Sequence, residues 1–325
     1  MKDFIKKNLP IIADIRRRIA INNRVADEKR FFIKNWANST QDSIKVGYRI
    51  LMNVHALEKG MSNKSPRYFG VGKVKEIINC LDLYDQNGWK KDFSYELGVS
   101  ILNAYMKFYE SMGWTDREEY KIVKKRNADK TVDLKTGVCE IRKKNFIKDA
   151  SIDFGKFLSS RHSFRDFSKD PVLTSDIKKA VDMASHTPTA CNRQMVKVYY
   201  VKDIDMKKKI LKYPHGLTGF NVDNANFAII TYDESSLFDA GEFMQGYFNA
   251  GLFAMNFINA LHSIGIGSCF LEYNNNYREE KAMKKILDIK YSEKIVVVIA
   301  LGHYPESSVI PCSTRKSLDD LYEER

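Results

Sequence analysis

The sequence predicts an α+β protein in which a mixed sheet, flanked by helices, follows a mainly helical N-terminal region. Helical periodicity dominates residues 1–150, whereas short β-branched runs alternate with amphipathic helices in residues 151–325. With 325 residues, of which 44% are hydrophobic, the chain is long enough for two domains and can bury a large core. We therefore place a domain boundary near residue 150.

The N-terminal region begins with a basic amphipathic pattern over residues 1–36. Ile12, Ile15 and Ile19 recur at three- and four-residue steps beside the arginines of residues 16–18. Further helical patterns cover residues 41–58, 72–87 and 97–108. Residues 115–150 are strongly polar, which is typical of a surface helix and a linker.

The C-terminal region mixes strands with helices. Residues 173–184 open with N-cap candidates and carry one apolar face, which predicts a helix. A long apolar helix is expected over residues 240–262. Three short β-branched runs predict strands, at residues 196–201, 226–232 and 294–301.

Residues 243–261 contain no formally charged side chain, so their length approaches that of a membrane span. Three asparagines, a glutamine and two glycines favour a helix in a soluble core or at a subunit interface instead. The five cysteines are scattered without metal-ligand spacing, and no metal site is expected. We expect a cytoplasmic protein.

The net charge of +12 lies entirely in the first half of the chain. Residues 1–150 hold 31 Lys and Arg against 19 Asp and Glu, and residues 151–325 hold 22 of each. This asymmetry favours an anionic partner for the N-terminal region. Nucleic acid is not expected to be that partner, because no zinc, helix-turn-helix or RNP signature accompanies the charge.

The segment of residues 161–167 is the first candidate site. Arg161, Ser163 and Arg165 place two guanidiniums and a hydroxyl within five residues, and such groups suit a terminal phosphate. A solvated charged turn would explain the same residues.

Three further segments follow in the C-terminal region. Residues 187–194 combine small side chains with Asn192 and Gln194, whose amides match the edge of a heterocycle, although a turn before a strand explains them equally well. The other two segments are residues 265–273, which follow the long apolar helix, and residues 302–318.

In this order the four segments resemble the FMN-dependent nitroreductase family, over about residues 152–325. The family's Arg-x-Ser-x-Arg/Lys element is matched by residues 161–165, and its Pro-Ser-x-x-Asn-x-Gln-Pro-Trp element by residues 188–196. Gly265–Ser268 and Leu301–Pro305 match its later glycine motifs, and Arg315 precedes a Leu-acidic-acidic tail. The chain departs from the pattern at Met195-Val196, in place of Pro-Trp, and at Ser313, where many members carry a second cation.

The resemblance implies a homodimer that holds FMN at the subunit interface. Residues implied at the phosphate end are Arg161, His162, Ser163 and Arg315, with Arg165 at the flavin N1/O2 edge. Cofactor-binding residues implied in the second segment, which comes from the partner chain, are Pro188, Thr189, Ala190, Asn192 and Gln194. The backbone N–H groups of Glu272 and Tyr273 are implied at flavin N5, the catalytic position.

The activity implied is that of an oxidoreductase. NAD(P)H reduces the flavin, which then reduces an unidentified small molecule in a ping-pong mechanism. The alternative is a non-catalytic scaffold that docks to an anionic membrane surface or polymer through its basic half.

Residues 55–60 read His-x-Leu-Glu-Lys-Gly and resemble an extension found in a nitroreductase-like subgroup associated with bacterial polysaccharide gene clusters. His55, Glu58, Lys59 and Arg67 are therefore candidate substrate residues, although ion pairing and core packing explain them as well. Residues 1–36 have three open roles, which are wrapping the partner subunit, capping the substrate and docking to a membrane.

Overall fold

The computed structural model describes most of the chain. The described residues are 2–36, 42–62, 67–127, 132, 134–138, 153–215, 217, 222–238, 240–273, 276–306, 317–319 and 321–325. The statements below concern these residues.

The N-terminal region is helical, as predicted. Its helices are α1 (Lys2–Trp36), α2 (Ser43–Met61), α3 (Val71–Gln86), α4 (Phe93–Ser111) and α5 (Glu118–Asn127). Asp42 and Asp92 begin α2 and α4 by accepting hydrogen bonds from backbone N–H groups of the first turn. Helices α2, α3 and α4 bury a common core that includes Ile50, Ile77 and Ile101.

The C-terminal region alternates helices and strands. In chain order it contains α6 (Phe154–Ser160), α7 (Thr174–Ser185), β1 (Val196–Val201), α8 (Ile204–Ile210), β2 (Asn226–Asp233), α9 (Gln245–Ser263), β3 (Ile266–Leu271), α10 (Tyr277–Leu287) and β4 (Glu293–His303). The three predicted strands are confirmed as β1, β2 and β4, whereas β3 had no strand prediction.

The four strands form one sheet in the order β1-β2-β4-β3, with every neighbouring pair antiparallel. Alternate residues of β2 face opposite layers. Ala228 and Ile230 pack with α7 and α9, whereas Phe227 and Ile229 pack with α8 and α10. The α+β fold class is confirmed, and the parallel component of the sheet is one isolated bridge between Ser163 and Ser268.

The two regions share an interface. Near the end of α1, Phe32 packs into the core beneath α9, and Glu28 accepts a hydrogen bond from the buried Lys294 of β4. Tyr48 of α2 contacts both the helical core and the sheet core. The predicted boundary near residue 150 lies outside the described residues.

Among the described residues, no helix combines the length and apolar character required to cross a membrane. Helix α9, the segment without charged side chains, buries Ala250, Phe253, Ala254 and Phe257 against the sheet. Its outer face is apolar and exposed, and with the residue just before the helix it presents Met244, Phe248, Leu252 and Met255.

Candidate functional site

The segment of residues 161–165 lies where α6 meets the sheet. Asp153 caps the N-terminus of α6, and the helix ends at Ser160, so Arg161 is the first residue in extended conformation. Ser163 forms a parallel bridge with Ser268, and the Phe164 N–H donates to the Ser268 carbonyl at 3.1 Å. The sheet therefore fixes the backbone of the predicted phosphate-binding segment.

Positive charge is concentrated beside this segment. His262, in the last turn of α9, shares hydrogen bonds with the Ser160 hydroxyl at 2.8 Å and the Tyr304 hydroxyl at 2.7 Å. Partial burial lowers the pKa of His262, and the nearby Arg161 and His162 lower it further. Within the described residues, neither Arg161 nor His162 forms an ion pair. We call His262, Arg161 and His162 the cationic cluster.

Ser163 and Arg165 lie on the β3 side of the cationic cluster, near the buried Cys269. Burial raises the pKa of the Cys269 thiol, and Arg165 and the Ser163 hydroxyl oppose this rise by favouring the thiolate. The sulfur lies 3.4 Å from the Phe270 carbonyl oxygen. Ser163 and Arg165 are thus brought together with Arg161, as the sequence predicted.

Gly267 allows this packing. A Cβ at residue 267 would lie 2.9 Å from the Tyr304 ring and 3.4 Å from the Phe164 Cβ. The two rings also contact each other, with centroids 4.6 Å apart. The glycine was predicted from the motif, and its role in the structure is to let these aromatic side chains close over β3.

The second predicted segment, residues 187–194, lies along the other part of α9. The buried Thr187 hydroxyl accepts a hydrogen bond from the Asn256 side chain at 2.7 Å. Thr189 then accepts from the Gln194 N–H through its hydroxyl and from the Asn192 N–H through its carbonyl. These bonds close residues 189–194 into a tight loop, which we call the site loop.

The site loop has an unusual backbone. Cys191, Asn192 and Gln194 all have φ of 51°. This left-handed conformation costs an L-residue other than glycine roughly 1–2 kcal/mol, although asparagine tolerates it better than cysteine or glutamine. Pro188, Asn192 and Gln194 are exposed, and Thr189 and Ala190 are half-buried. The loop therefore presents the amides of Asn192 and Gln194 outward.

Arg193 anchors the site loop and was missing from the predicted site residues. Its guanidinium donates to both carboxylate oxygens of Glu242, at 2.9 and 2.6 Å, and to the carbonyls of Ser236 and Ala190. The side chain is 1% exposed. The position of Arg193 between two predicted cofactor residues, Asn192 and Gln194, was the only sequence signal of its role. Its ion-pair partner, Glu242, lies 49 residues away, so no local motif includes both.

Met195 occupies the position where the family pattern has proline. Its side chain is buried in the core beneath α9, and its sulfur accepts hydrogen bonds from the Ser236 hydroxyl and the Asn249 amide. Met195 thus serves as a packing residue between the site loop and the first half of α9.

The two predicted half-sites contact α9 at different turns. Thr187, just before the site loop, contacts Asn256, and Met195, just after it, contacts Asn249, whereas His262 of the cationic cluster lies six and thirteen residues further along the helix. At 1.5 Å per residue these separations along the helix axis are about 9 and 20 Å.

The predicted catalytic residues, Glu272 and Tyr273, follow the end of β3. The Glu272 carbonyl accepts a hydrogen bond from the His215 N–H at 2.7 Å, and the Glu272 side chain is exposed. Four residues of strand separate Glu272 from Ser268, which is about 13 Å. Arg315, the last predicted phosphate ligand, lies outside the described residues.

The His-x-Leu-Glu-Lys-Gly element lies in the last turns of α2. Glu58 accepts hydrogen bonds from the Thr136 hydroxyl at 2.9 Å and the Gly137 N–H at 3.3 Å, and it lies 3.9 Å from His55. Lys59 and Arg67 are exposed. Tyr48, one wall of the cavity nearest the site loop, lies ten residues before Glu58, about 15 Å along the helix.

No group of three or more His, Cys, Asp or Glu side chains in the described part of the chain is arranged to hold a metal ion.

Comparison with known proteins identifies the domain that carries these segments. A sequence model of the nitroreductase family matches residues 158–231 and 215–303. No curated protein sequence matches the chain significantly.

Solved structures with similar folds include two bacterial nitroreductases. The nitroreductase family protein of Streptococcus pneumoniae is 20% identical over 53% of this chain and 100% of its own length, with a TM-score of 0.45. The protein described as an FMN-dependent nitroreductase of Clostridium difficile is 17% identical over 52% of this chain and 98% of its own, with a TM-score of 0.44. The match to the family model assigns residues 158–303, which hold the cationic cluster, the site loop and all four strands, to a nitroreductase-family domain. The helical region that precedes them is not matched by that model.

Proposed function

We propose that this protein is an FMN-dependent oxidoreductase that takes electrons from NAD(P)H and passes them to a small-molecule substrate. The observation that carries the proposal is the cationic cluster. Arg161 and His162 lie close enough to His262 to lower its pKa, and within the described residues no carboxylate forms an ion pair with Arg161 or His162. The basic groups of this cluster are therefore suited to binding an anion.

The phosphate of FMN fits this cluster. A dianionic phosphate would attract the Arg161 guanidinium and would favour protonation of His262, and arginine forks and a serine hydroxyl are strong donors to phosphate oxygens. Ser163 and Arg165 adjoin the same site through Cys269. Bound FMN would supply the hydride- and electron-carrying chemistry, which none of these side chains provides.

We further propose that the enzyme is a homodimer whose two chains complete each site. The site loop and the cationic cluster lie beside different turns of α9, and we infer that each FMN takes the cluster from one chain and the site loop from the other. Phe248 and Leu252 belong to the exposed apolar face of α9 and are 62% and 39% exposed. Pairing of this face with a second copy would bury it and would bring the site loop of one chain toward the cluster of the other.

The other predicted site residues are proposed to orient the flavin ring and to stabilise its charge, and not to transfer protons. Arg165 would stabilise negative charge at the N1/O2 edge of the reduced flavin, and the Glu272–Tyr273 backbone would lie at N5. Asn192 and Gln194 of the site loop would hydrogen-bond the edge of the ring system. Donor and substrate would bind in turn at the same flavin face, which gives ping-pong kinetics.

The test is flavin retention. Purified protein is expected to show flavin absorption that NADH or NADPH bleaches without oxygen, and Arg161→Ala or Ser163→Ala is expected to weaken FMN binding at least tenfold. Arg278→Ala, on the exposed side of α10, is the matched control. A colourless protein that does not take up added FMN, or variants that hold FMN as tightly as the wild type, would overturn the proposal.

A second function, docking to an anionic surface, is favoured by one observation on α1. Ile12, Ile15 and Ile19 are 44 to 55% exposed and form a stripe beside the exposed Arg16 and Arg18. A chain lacking residues 1–25 keeps the buried end of α1. If docking is the role of the stripe, this truncation loses sedimentation with phosphatidylglycerol vesicles and keeps its FMN. Equal sedimentation by both chains would exclude docking through the stripe.

A further inference from the structure

The helical region and the nitroreductase-family domain enclose a cavity of about 290 Å³ beside the site loop. Its walls come from the first turns of α2 and α4 and from Arg193 and Gln194. We call it the junction cavity. Gln194 also lines a second cavity, on the side of β1 and α9.

The walls of the junction cavity are held rigidly. Asp92 accepts hydrogen bonds from the Ser94 and Tyr95 N–H groups and from the buried Tyr84 hydroxyl. Gly47 lets α2 approach α4, because a Cβ there would lie 3.0 Å from the Ser94 hydroxyl oxygen. The cavity is therefore built by packing of the two helix starts and is not a gap between mobile loops.

The chemistry of the described lining disfavours an anion. Among the described lining residues one carries a guanidinium, Arg193, which forms an ion pair with Glu242 and donates to the carbonyls of Ala190 and Ser236. Asp92 adds one carboxylate to the wall. None of the described lining residues from the N-terminal region is a lysine or an arginine, so the anionic partner expected from net charge does not suit this cavity.

The same lining favours a group that donates hydrogen bonds. The carboxylate of Asp92, the hydroxyls of Ser43 and Ser94 and the amide of Gln194 offer acceptors. Leu51 and the 51% exposed ring of Phe93 provide an apolar side. Pockets at domain junctions with apolar walls and a few convergent polar groups are typical ligand sites.

We propose that the junction cavity binds an uncharged, amphiphilic group, with hydroxyl or amide donors, that belongs to the molecule reduced at the neighbouring flavin site. The proposal rests on the proposed function for the flavin site, but the cavity itself does not require FMN. The helical region would then select the substrate, and the selecting residues are the first turns of α2 and α4 rather than His55, Glu58, Lys59 and Arg67.

Binding is tested first with two probes of similar size. N-(2-hydroxyethyl)benzamide carries an amide and a terminal hydroxyl, and hippurate carries a carboxylate in place of that hydroxyl. Titrations of the full chain, followed by NMR of the protein amides, are expected to show at least tenfold weaker binding of hippurate. Hippurate binding as tight as that of the neutral probe, or no binding of either, would overturn the proposal.

Variants locate the binding. Ser94→Phe fills the cavity and is expected to abolish binding of the neutral probe, whereas Ser111→Phe, at the exposed end of α4, is expected to leave it unchanged. Asp92→Asn retains an N-cap residue and removes the negative charge. The ratio of the affinity for the neutral probe to the affinity for hippurate is therefore expected to fall. Ser94→Phe protein with a wild-type unfolding temperature that still binds the probe would contradict the proposal.

The link to catalysis is tested with quinones. With photoreduced FMN enzyme, a benzoquinone bearing a hydroxyethylamide side chain is expected to be reduced at least tenfold faster, in kcat/KM, than its carboxylate counterpart. Ser94→Phe is expected to remove that difference by slowing reduction of the hydroxyethylamide quinone to the rate of its carboxylate counterpart. If the protein does not bind FMN, the proposed oxidoreductase function is wrong, and the probe titrations still test the cavity. If FMN binds but the two quinones are reduced at equal rates, the proposal for the junction cavity is wrong.

Discussion

Arg193 and Glu242 form a bidentate ion pair whose guanidinium is almost completely buried, and this pair holds the most strained backbone of the site loop. The left-handed conformations of Cys191 and Gln194 persist because the side chain between them is tied to Glu242 and to two carbonyls. Arg193 is therefore a positioning residue for the amides on either side of it.

We predict that Arg193→Lys lowers the free energy of unfolding by about 2 kcal/mol, because lysine cannot form the bidentate pair and its charge stays buried. FMN affinity is expected to fall as well. Urea unfolding and flavin titration measure the two effects.

A second substitution, of Cys191 by glycine, tests whether Arg193 stabilises the strained backbone of the site loop or only packs beside it. Cys191→Gly in the Arg193→Lys background is expected to recover about 1 kcal/mol and part of the FMN affinity, since glycine adopts positive φ without strain. Ala190→Gly, at a neighbouring residue without positive φ, is the matched control. Equal effects of the two glycines would show that Arg193 does not offset loop strain.

Leu252→Glu is predicted to convert the dimer to a monomer, because a carboxylate would be buried unpaired in the face of α9 that we assign to the interface. Sedimentation velocity measures the change, and FMN binding is expected to be lost with it. Ile204→Glu, at a residue that is 63% exposed on α8, should leave the dimer intact.

Ala254 does not serve the same purpose, although it lies on the same helix. It is 2% exposed and packs in the core of its own chain. A charge at Ala254 would therefore unfold the domain without reporting on association.

Arg161→Gln is predicted to raise the pKa of His262 toward its ordinary value, because it removes one of the two cations that lower it, while partial burial remains. NMR titration of the imidazole Hε1 measures this shift. Arg278→Gln is the control of equal charge change. Addition of inorganic phosphate should raise the pKa of His262 in the wild type, and an unchanged value would argue against anion binding at the cluster.

Glu58→Ala is predicted to lower the free energy of unfolding by about 1–2 kcal/mol, because it leaves the Thr136 hydroxyl and the Gly137 N–H without their acceptor. A double-mutant cycle with Thr136→Val measures the coupling. His55→Ala and Lys59→Ala should have smaller effects on stability. If either of them instead changes turnover of the reducible substrate without changing stability, the element takes part in substrate binding.

Local pattern predicted much of the fold. The strands β1, β2 and β4 contain short runs of β-branched and aromatic residues, and this composition is visible without the structure. The strand β3 reads IGSCFL, whose Gly267 and Ser268 have low strand propensity, so its pairing with β4 depends on tertiary contacts.

The candidate site was predictable in part for the same reason. Arg161, Ser163 and Arg165 lie within five residues, so a motif reveals them together. Glu242 and Ser94 acquire their roles only when α9 and α4 pack beside the site loop, and no local spacing signals such a contact. At Met195 the sequence departs from the family motif, but the structure shows a side chain that packs in the core. This departure from the motif therefore did not indicate a functional residue.

The contacts at the end of α1 also bear on how the protein is made. The hydrogen bond from Lys294 to Glu28 joins residues 266 positions apart, so α1 cannot dock until the last strand exists. At about 5–20 residues per second, synthesis of the intervening chain takes roughly 13–50 s. During this time Phe31 and Phe32, both buried in the folded protein, remain exposed on the nascent chain. Helix α1, which is synthesised before the sheet, is thus among the last elements to reach its native place.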